Sequence, residues 1–184
     1  MTRRDIPNII SAFRICLVPV LVWQVLEEQY ANVLVLFFIA GLSDGLDGFL
    51  AKRYGWVSRL GSILDPIADK FLLVSSFFAL GWMGEIPIWL VIVVIVRDVV
   101  IVAGAYAYHR IIGEYELKPS YLSKLNTLSQ ISLVLLVVFS LSVVTVGLEL
   151  IQYAFYFVMI TTLLSGFDYI YRWGMRAWRH RSAL

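Results

Sequence analysis

Asp44-Gly45-Leu46-Asp47-Gly48-Phe49-Leu50-Ala51-Lys52-Arg53, a short polar link, then Gly61-Ser62-Ile63-Leu64-Asp65-Pro66-Ile67-Ala68-Asp69-Lys70: this stretch sets four carboxylates between two long apolar runs. Asp44 and Asp47 are three apart and Asp65 and Asp69 four apart, so on helices each pair shares one face. The link from Lys52 to Leu60 is short enough to make the two pairs neighbours on antiparallel helices, giving a box of eight carboxylate oxygens. Near the middle of a membrane helix each ionised Asp costs about 2.5–3.5 kcal/mol, so four unpaired ones would cost about 10 kcal/mol or more. Lys52, Arg53, Arg59 and Lys70 are too few and too mobile to neutralise the box tightly. A hard divalent cation does so, and all-oxygen ligands suit Mg²⁺, Mn²⁺ or Ca²⁺. The box is therefore expected to hold metal, one or two ions.

The surroundings are those of a membrane protein. The chain has 184 residues, 60% of them hydrophobic and 15% charged, with a mean hydropathy of +0.82, outside the range of ordinary soluble domains. A span needs about 20 residues, and six apolar runs are present: Ile9 to Leu26, Ala31 to Leu50, Ser62 to Trp82, Ile86 to Tyr108, Leu125 to Gly147 and Leu150 to Tyr171. They fill most of the chain. The expectation is an all-α integral membrane protein with six transmembrane helices, short interfacial helices at the termini, and one membrane-embedded domain over residues 1–184.

Charge sets the orientation. The turns after the first, third and fifth runs carry Glu27, Glu28, Glu85 and Glu149 and no Lys or Arg. Arg3, Arg4, Lys52, Arg53, Arg59, Arg110, Lys118, Lys124, Arg172, Arg176, Arg179 and Arg181 lie on the other side. By the positive-inside rule both termini and the Asp box face the cytoplasm. The basic face suits anionic headgroups, or serves as a topology signal alone. Arg3 and Arg4 before an apolar run also resemble a signal peptide, but the run is long, contains Arg14 and Pro19 and lacks a small-x-small cleavage site, so it reads as a retained first span. The single Cys16 excludes an intramolecular disulfide framework.

Other polar residues inside the apolar runs need partners. Asn8, Ser11 and Arg14 follow at three-residue steps on the first span; Asn8 and Arg14 are aimed at the Asp box or a ligand bound to it, the alternative being a helix cap and a side chain snorkelling to the headgroups. Gly41 and Gly45 serve helix packing. Gly48 and Ala51, between the carboxylates and Lys52, leave the backbone open to a flat ligand such as a base or ribose. Pro66 fits the first turn of the third span. Arg97, halfway along the fourth span beside Asp98, either binds a phosphate group of a substrate or pairs with a carboxylate on another span. Lys118 and Lys124, at the opening of the fifth span, are interface anchors or, with helix-end amides, a phosphate site. His109 has no His or Cys companions, which argues against zinc. The basic tail from Arg172 to Arg181, interleaved with Trp173 and Trp178, reads as an interfacial amphipathic extension and not as a nucleic-acid site.

The pattern Asp44-x2-Asp47-Gly48-x2-Ala51-Lys52-x8-Gly61-x3-Asp65-x3-Asp69 resembles the signature of the CDP-alcohol phosphotransferases, integral membrane enzymes of phospholipid synthesis. It fits at every spacing. The one departure is Lys52, where the family usually has Arg; charge is kept but the planar fork is lost. The resemblance implies that Asp44, Asp47, Asp65 and Asp69 hold Mg²⁺ or Mn²⁺, as two ions, and that Asp69 takes the proton from the acceptor hydroxyl. It also implies that Asn8, Asp47, Gly48, Ala51, Lys52 and Gly61 bind the nucleotide end of CDP-diacylglycerol, and that the protein is a homodimer.

Across the whole chain the resemblance is to the cardiolipin synthase branch: Ile6-Pro7-Asn8, the run Leu64 to Lys70, Arg97-Asp98, Lys118-Pro119, and Ser123-Lys124-Leu125-Asn126-Thr127. Phosphatidylglycerophosphate synthases share the first two features and usually carry a second Lys where this chain has Asn126. One cation fewer favours phosphatidylglycerol over glycerol 3-phosphate as acceptor, with Arg97, Lys118, Lys124 and Asn126 as the residues expected to bind it. The membrane expected is the bacterial inner (plasma) membrane, the mitochondrial inner membrane being the alternative. A rival of another class, a non-catalytic cation channel or transporter, predicts acids spread along a path through the membrane, whereas these cluster at one face.

Overall fold

The structure is a computed structural model that describes residues 6–54, 61–112 and 120–181. They form six helices: α1 (Ile6–Leu26), α2 (Tyr30–Tyr54), α3 (Gly61–Trp82), α4 (Ile88–Ile112), α5 (Tyr121–Ser142) and α6 (Leu148–Arg181), with no strand among the described residues. Four of them are long and apolar enough to cross a membrane, over Asn8–Leu26, Tyr30–Phe49, Tyr121–Ser142 and Leu148–Arg172. α3 carries Asp65, Asp69 and Lys70 in its first turns, and α4 carries Arg97 and Asp98 near its middle.

The helices divide into two units. The first contains Met1–Ile86 and Val134–Val146, hence α1, α2, α3 and the last turns of α5. Within it α1 packs against both α2 and α3. Leu21 and Val25 of α1 are buried with Val33 and Ala40 of α2 and Phe77 and Leu80 of α3. Trp23, Phe38 and Phe78 point outward, while Ser11, Arg14 and Asp47 are buried. Apolar side chains outside and charged ones inside is the arrangement that a hydrocarbon solvent favours.

Both helix ends at the acidic turns of this unit are Schellman motifs. After α1 the Glu28 N–H donates to the Val25 carbonyl (3.0 Å) and the Gln29 N–H to the Gln24 carbonyl (2.9 Å). After α3 the Gly84 N–H donates to the Gly81 carbonyl (3.2 Å) and the Glu85 N–H to the Leu80 carbonyl (2.9 Å). The motif needs a left-handed residue; Gly84 takes it with φ 83°, and Glu28 takes it with φ 57° despite its side chain.

The second unit contains Pro87–Leu133 and Gly147–Leu184, with α4 packed against α6. α6 runs unbroken for 34 residues, about 51 Å at the helical rise and well beyond the ~30 Å hydrocarbon core. The basic tail is thus a continuation of the last helix and not a separate interfacial helix, because no proline interrupts it. Near its exit the Arg172 Nε donates to Asp168 one turn back, at 2.7 Å.

Pro66 lies in the second turn of α3, since the helix already begins at Gly61. Its missing N–H leaves the carbonyl of residue 62 without the usual i+4 donor.

Candidate active site

In the first unit the two aspartate pairs meet on α1. α2 and α3 both pack on this helix, more than on each other, so α1 is the intermediary that the spacing of the aspartates does not disclose. The side chain that joins them is Arg14. Its Nη2 donates to Asp47 at 2.8 Å, and its Nη1 lies 3.1 Å from Asp44 and also donates to Asp69. Ser11, one turn earlier on the same face of α1, donates its hydroxyl to Asp65. One face of one helix therefore contacts all four carboxylates, and the Arg14 guanidinium goes to the box and not to the headgroups. Asn8, a further turn back, is half-buried on that face.

The four carboxylates differ in depth. Asp47 is buried with Arg14, whereas Asp44 and Asp69 are half open and Asp65 is intermediate. Gly48 follows Asp47, and a Cβ built there meets nothing within 4 Å; the same holds at Gly41 and Gly45, so among the described residues the helix packing expected of Gly41 and Gly45 is not seen. Gly61 is buried at the start of α3. The side chains of Ala51 and Lys52 lie outside the described residues.

The chemistry of the donor set suits a hard divalent cation, being all carboxylate oxygen. A positive group already stands where three of these carboxylates converge, the guanidinium of Arg14, and it marks the point as one that attracts a cation. Among the described residues no three His, Cys, Asp or Glu side chains are close enough together to ligate one ion directly. Asp44, Asp47 and Asp69 each turn an oxygen to the Arg14 guanidinium instead.

The second unit holds its own polar cluster. Arg97, nearly buried, donates through Nη1 to Asp98 (2.7 Å) and through Nη2 to Ser123 of α5 (2.9 Å) and Ser165 of α6. Its charge is met by its own neighbour in sequence and its fork by hydroxyls of two other helices. The Tyr169 ring centroid is 5.9 Å from the guanidinium carbon, within cation–π range. The Arg97 stem passes close to Gly166, where a Cβ would stand 3.6 Å from the Arg97 Cγ, an ordinary van der Waals contact. Beside this stem a groove of about 350 Å³ has an apolar lining that includes Ile92, Val96, Val100, Leu163 and Phe167.

Asn126 is fully buried, and its Oδ1 accepts from Thr161 (3.1 Å) and Thr162 (2.8 Å) of α6. Lys124 is exposed, with its ammonium 6.0 Å from the Tyr121 ring centroid. Lys118 falls outside the described residues. Reading the sequence alone missed Ser123, Ser165, Thr161 and Thr162 as partners, because isolated hydroxyls on apolar helices carry no signal of where they point.

With this geometry in view, comparison with known proteins is informative. A family model, CDP-alcohol phosphatidyltransferase, matches residues 4–165. "Cardiolipin synthase (CMP-forming)" of Rattus norvegicus is 39% identical over 145 residues, covering 70% of this chain and 48% of that protein. The chain thus spans about half the length of that relative. Two bacterial relatives match nearly end to end, both named "CDP-diacylglycerol--glycerol-3-phosphate 3-phosphatidyltransferase". The Aquifex aeolicus protein is 35% identical over 90% of this chain and 93% of its own, and that of Blochmanniella floridana 33% identical over 91% and 90%. The family model takes in α1, both aspartate pairs, Arg97 and Asn126, and the chain belongs to the CDP-alcohol phosphatidyltransferase family.

Proposed function

We propose that this protein is a metal-dependent enzyme of phospholipid synthesis. It transfers a phosphatidyl group from CDP-diacylglycerol to a hydroxyl of phosphatidylglycerol, releasing CMP and giving cardiolipin. The observation that carries the reading is the convergence of Asp44, Asp47 and Asp69, from two helices, on one cationic group, with Asp65 tied to the same face of α1.

Mg²⁺ or Mn²⁺, as two ions, would be held by Asp44, Asp47 and Asp65, with Asp69 beside them. Bound there, the ions supply charge neutralisation for the pyrophosphate of the donor. Gly48, whose side of α2 is open, leaves backbone for the ribose or base, and Asn8, Ala51, Lys52 and Gly61 complete the nucleotide end. Asp69, half open, accepts the proton of the attacking hydroxyl. The acceptor oxygen forms a bond to the phosphorus that carries diacylglycerol, the bond from that phosphorus to the oxygen of CMP breaks, and CMP leaves with the electron pair. Holding donor and acceptor in line is the larger part of the catalysis.

Arg97, Lys118, Lys124 and Asn126 would bind the acceptor, with the hydrocarbon groove beside Arg97 taking an acyl chain of a lipid acceptor. Glycerol 3-phosphate is the second reading, favoured by the two bacterial relatives that match nearly end to end. The chain works as one domain and as a homodimer in the bacterial plasma membrane, with the box facing the cytoplasm; the mitochondrial inner membrane is the alternative location. Supplying the purified protein with CDP-diacylglycerol, Mn²⁺ and each acceptor, and resolving the lipids formed, tests the assignment. Cardiolipin is expected; phosphatidylglycerophosphate as the sole product overturns the choice of acceptor.

A further inference from the structure

The aspartate box is assembled by a charge that belongs to the chain. Arg14 is only 1% exposed, and its two terminal nitrogens are divided among Asp44, Asp47 and Asp69 while Ser11 closes Asp65. Taken by themselves, Arg14 and the four carboxylates carry a formal charge of 1 − 4 = −3. The grip is also imperfect. Arg14 shares Nη1 between two carboxylates and makes no parallel fork on either, and its Nε is buried without a hydrogen-bond partner among the described residues. Parallel fork pairing is the stronger form, so Arg14 holds Asp44, Asp47 and Asp69 by single or shared contacts, with Asp65 held by Ser11.

A guanidinium and a divalent cation need the same lone pairs. Asp44, Asp47 and Asp69 each turn an oxygen to the guanidinium, so an ion that takes those oxygens must displace it. We propose that Arg14 is the resident counter-cation of the box: it gathers Asp44, Asp47 and Asp69 in the metal-free protein, beside the Asp65 that Ser11 holds, and a divalent cation entering the box displaces it. Arg14 then sets metal affinity by competition, and its departure frees Asp69 to act on the acceptor. This inference rests on the metal-dependent reading given above.

The test is Mn²⁺ binding to the full-length protein in detergent without lipid substrate, followed by the electron paramagnetic resonance signal of free Mn²⁺. Arg14→Gln removes the competitor and is expected to tighten binding about tenfold, equivalent to about 1.4 kcal/mol. Arg14→Lys keeps the charge but reaches fewer carboxylates as a hydrated point charge, so its affinity should fall between the two; it carries the test if the Gln variant does not fold. Binding by either folded variant that is no tighter than wild type overturns the inference while leaving the metal site standing. Failure of the wild-type protein to bind Mn²⁺ overturns both.

Discussion

Replacing Arg14 with Met in the metal-free protein measures what the box costs without its counter-cation. Methionine keeps an unbranched stem of similar reach and removes the charge. The cost is unequally divided among the partners, because Asp47 is 3% exposed whereas Asp44 and Asp69 are 54% and 51% exposed. Removing one member of a buried pair costs about 3–5 kcal/mol, while exposed pairs are worth about 0–1 kcal/mol. Asp47 therefore dominates, and the variant should lose about 3–5 kcal/mol. At about 2–4 °C per kcal/mol for a chain of this size, the melting temperature should fall by roughly 6–20 °C. The assay is thermal unfolding in detergent with chelator at one scan rate, since such unfolding is governed by rates as well as equilibria. The loss should shrink to a few degrees when Arg14→Met is made in an Asp47→Asn background, and stay nearly whole in an Asp44→Asn background. Equal losses in all three backgrounds would refute the assignment of Asp47 as the dominant partner.

Other expectations are independent of that cycle. Asp69→Asn should abolish turnover while leaving substantial binding of CDP-diacylglycerol; full activity in that variant removes Asp69 as the base. Gly48→Ala should leave stability unchanged or raise it by about 0.5–1 kcal/mol, because a Cβ there meets nothing and alanine is the better helix former. The same variant should weaken CDP-lipid binding, and unaltered affinity would place the nucleotide elsewhere. Glu28→Gly should stabilise the protein by about 1 kcal/mol by relieving a left-handed non-glycine residue, and Gly84→Ala should cost about as much for the converse reason. Thermal unfolding reads both, and a lowered melting temperature for Glu28→Gly contradicts the account of that turn.

Apart from the last, whose helix runs on to Arg181, the apolar runs mark the helices to within about five residues, because length and hydropathy are properties local to the chain. The four aspartates are equally legible, since an acid placed repeatedly among apolar residues at helical spacing has few uses. What the sequence leaves open is which way Arg14 turns. The three-residue steps of Asn8, Ser11 and Arg14 define a face, but headgroups and carboxylates are both within reach of it, and the choice follows from α1 packing on α2 and α3 together. Arg97 is similar. Its need for partners is evident from its depth, yet the partners are Asp98 next to it and two serines, residues that occur on apolar helices for many reasons. Helix ends also depart from the apolar runs, as α6 does by continuing to Arg181, because hydropathy reports the solvent and not the hydrogen-bond ladder.

The account stands on carboxylates of α2 and α3 acting together on a nucleotide-activated lipid. Release of CMP from CDP-diacylglycerol and phosphatidylglycerol, measured against Mn²⁺ concentration for the wild type, Asp47→Asn and Asp65→Asn, tests this most directly. Metal-dependent release by the wild type, lost when either helix gives up its carboxylate, is the predicted result. Release that persists with an unchanged Mn²⁺ dependence in either variant, or that needs no divalent cation at all, contradicts it.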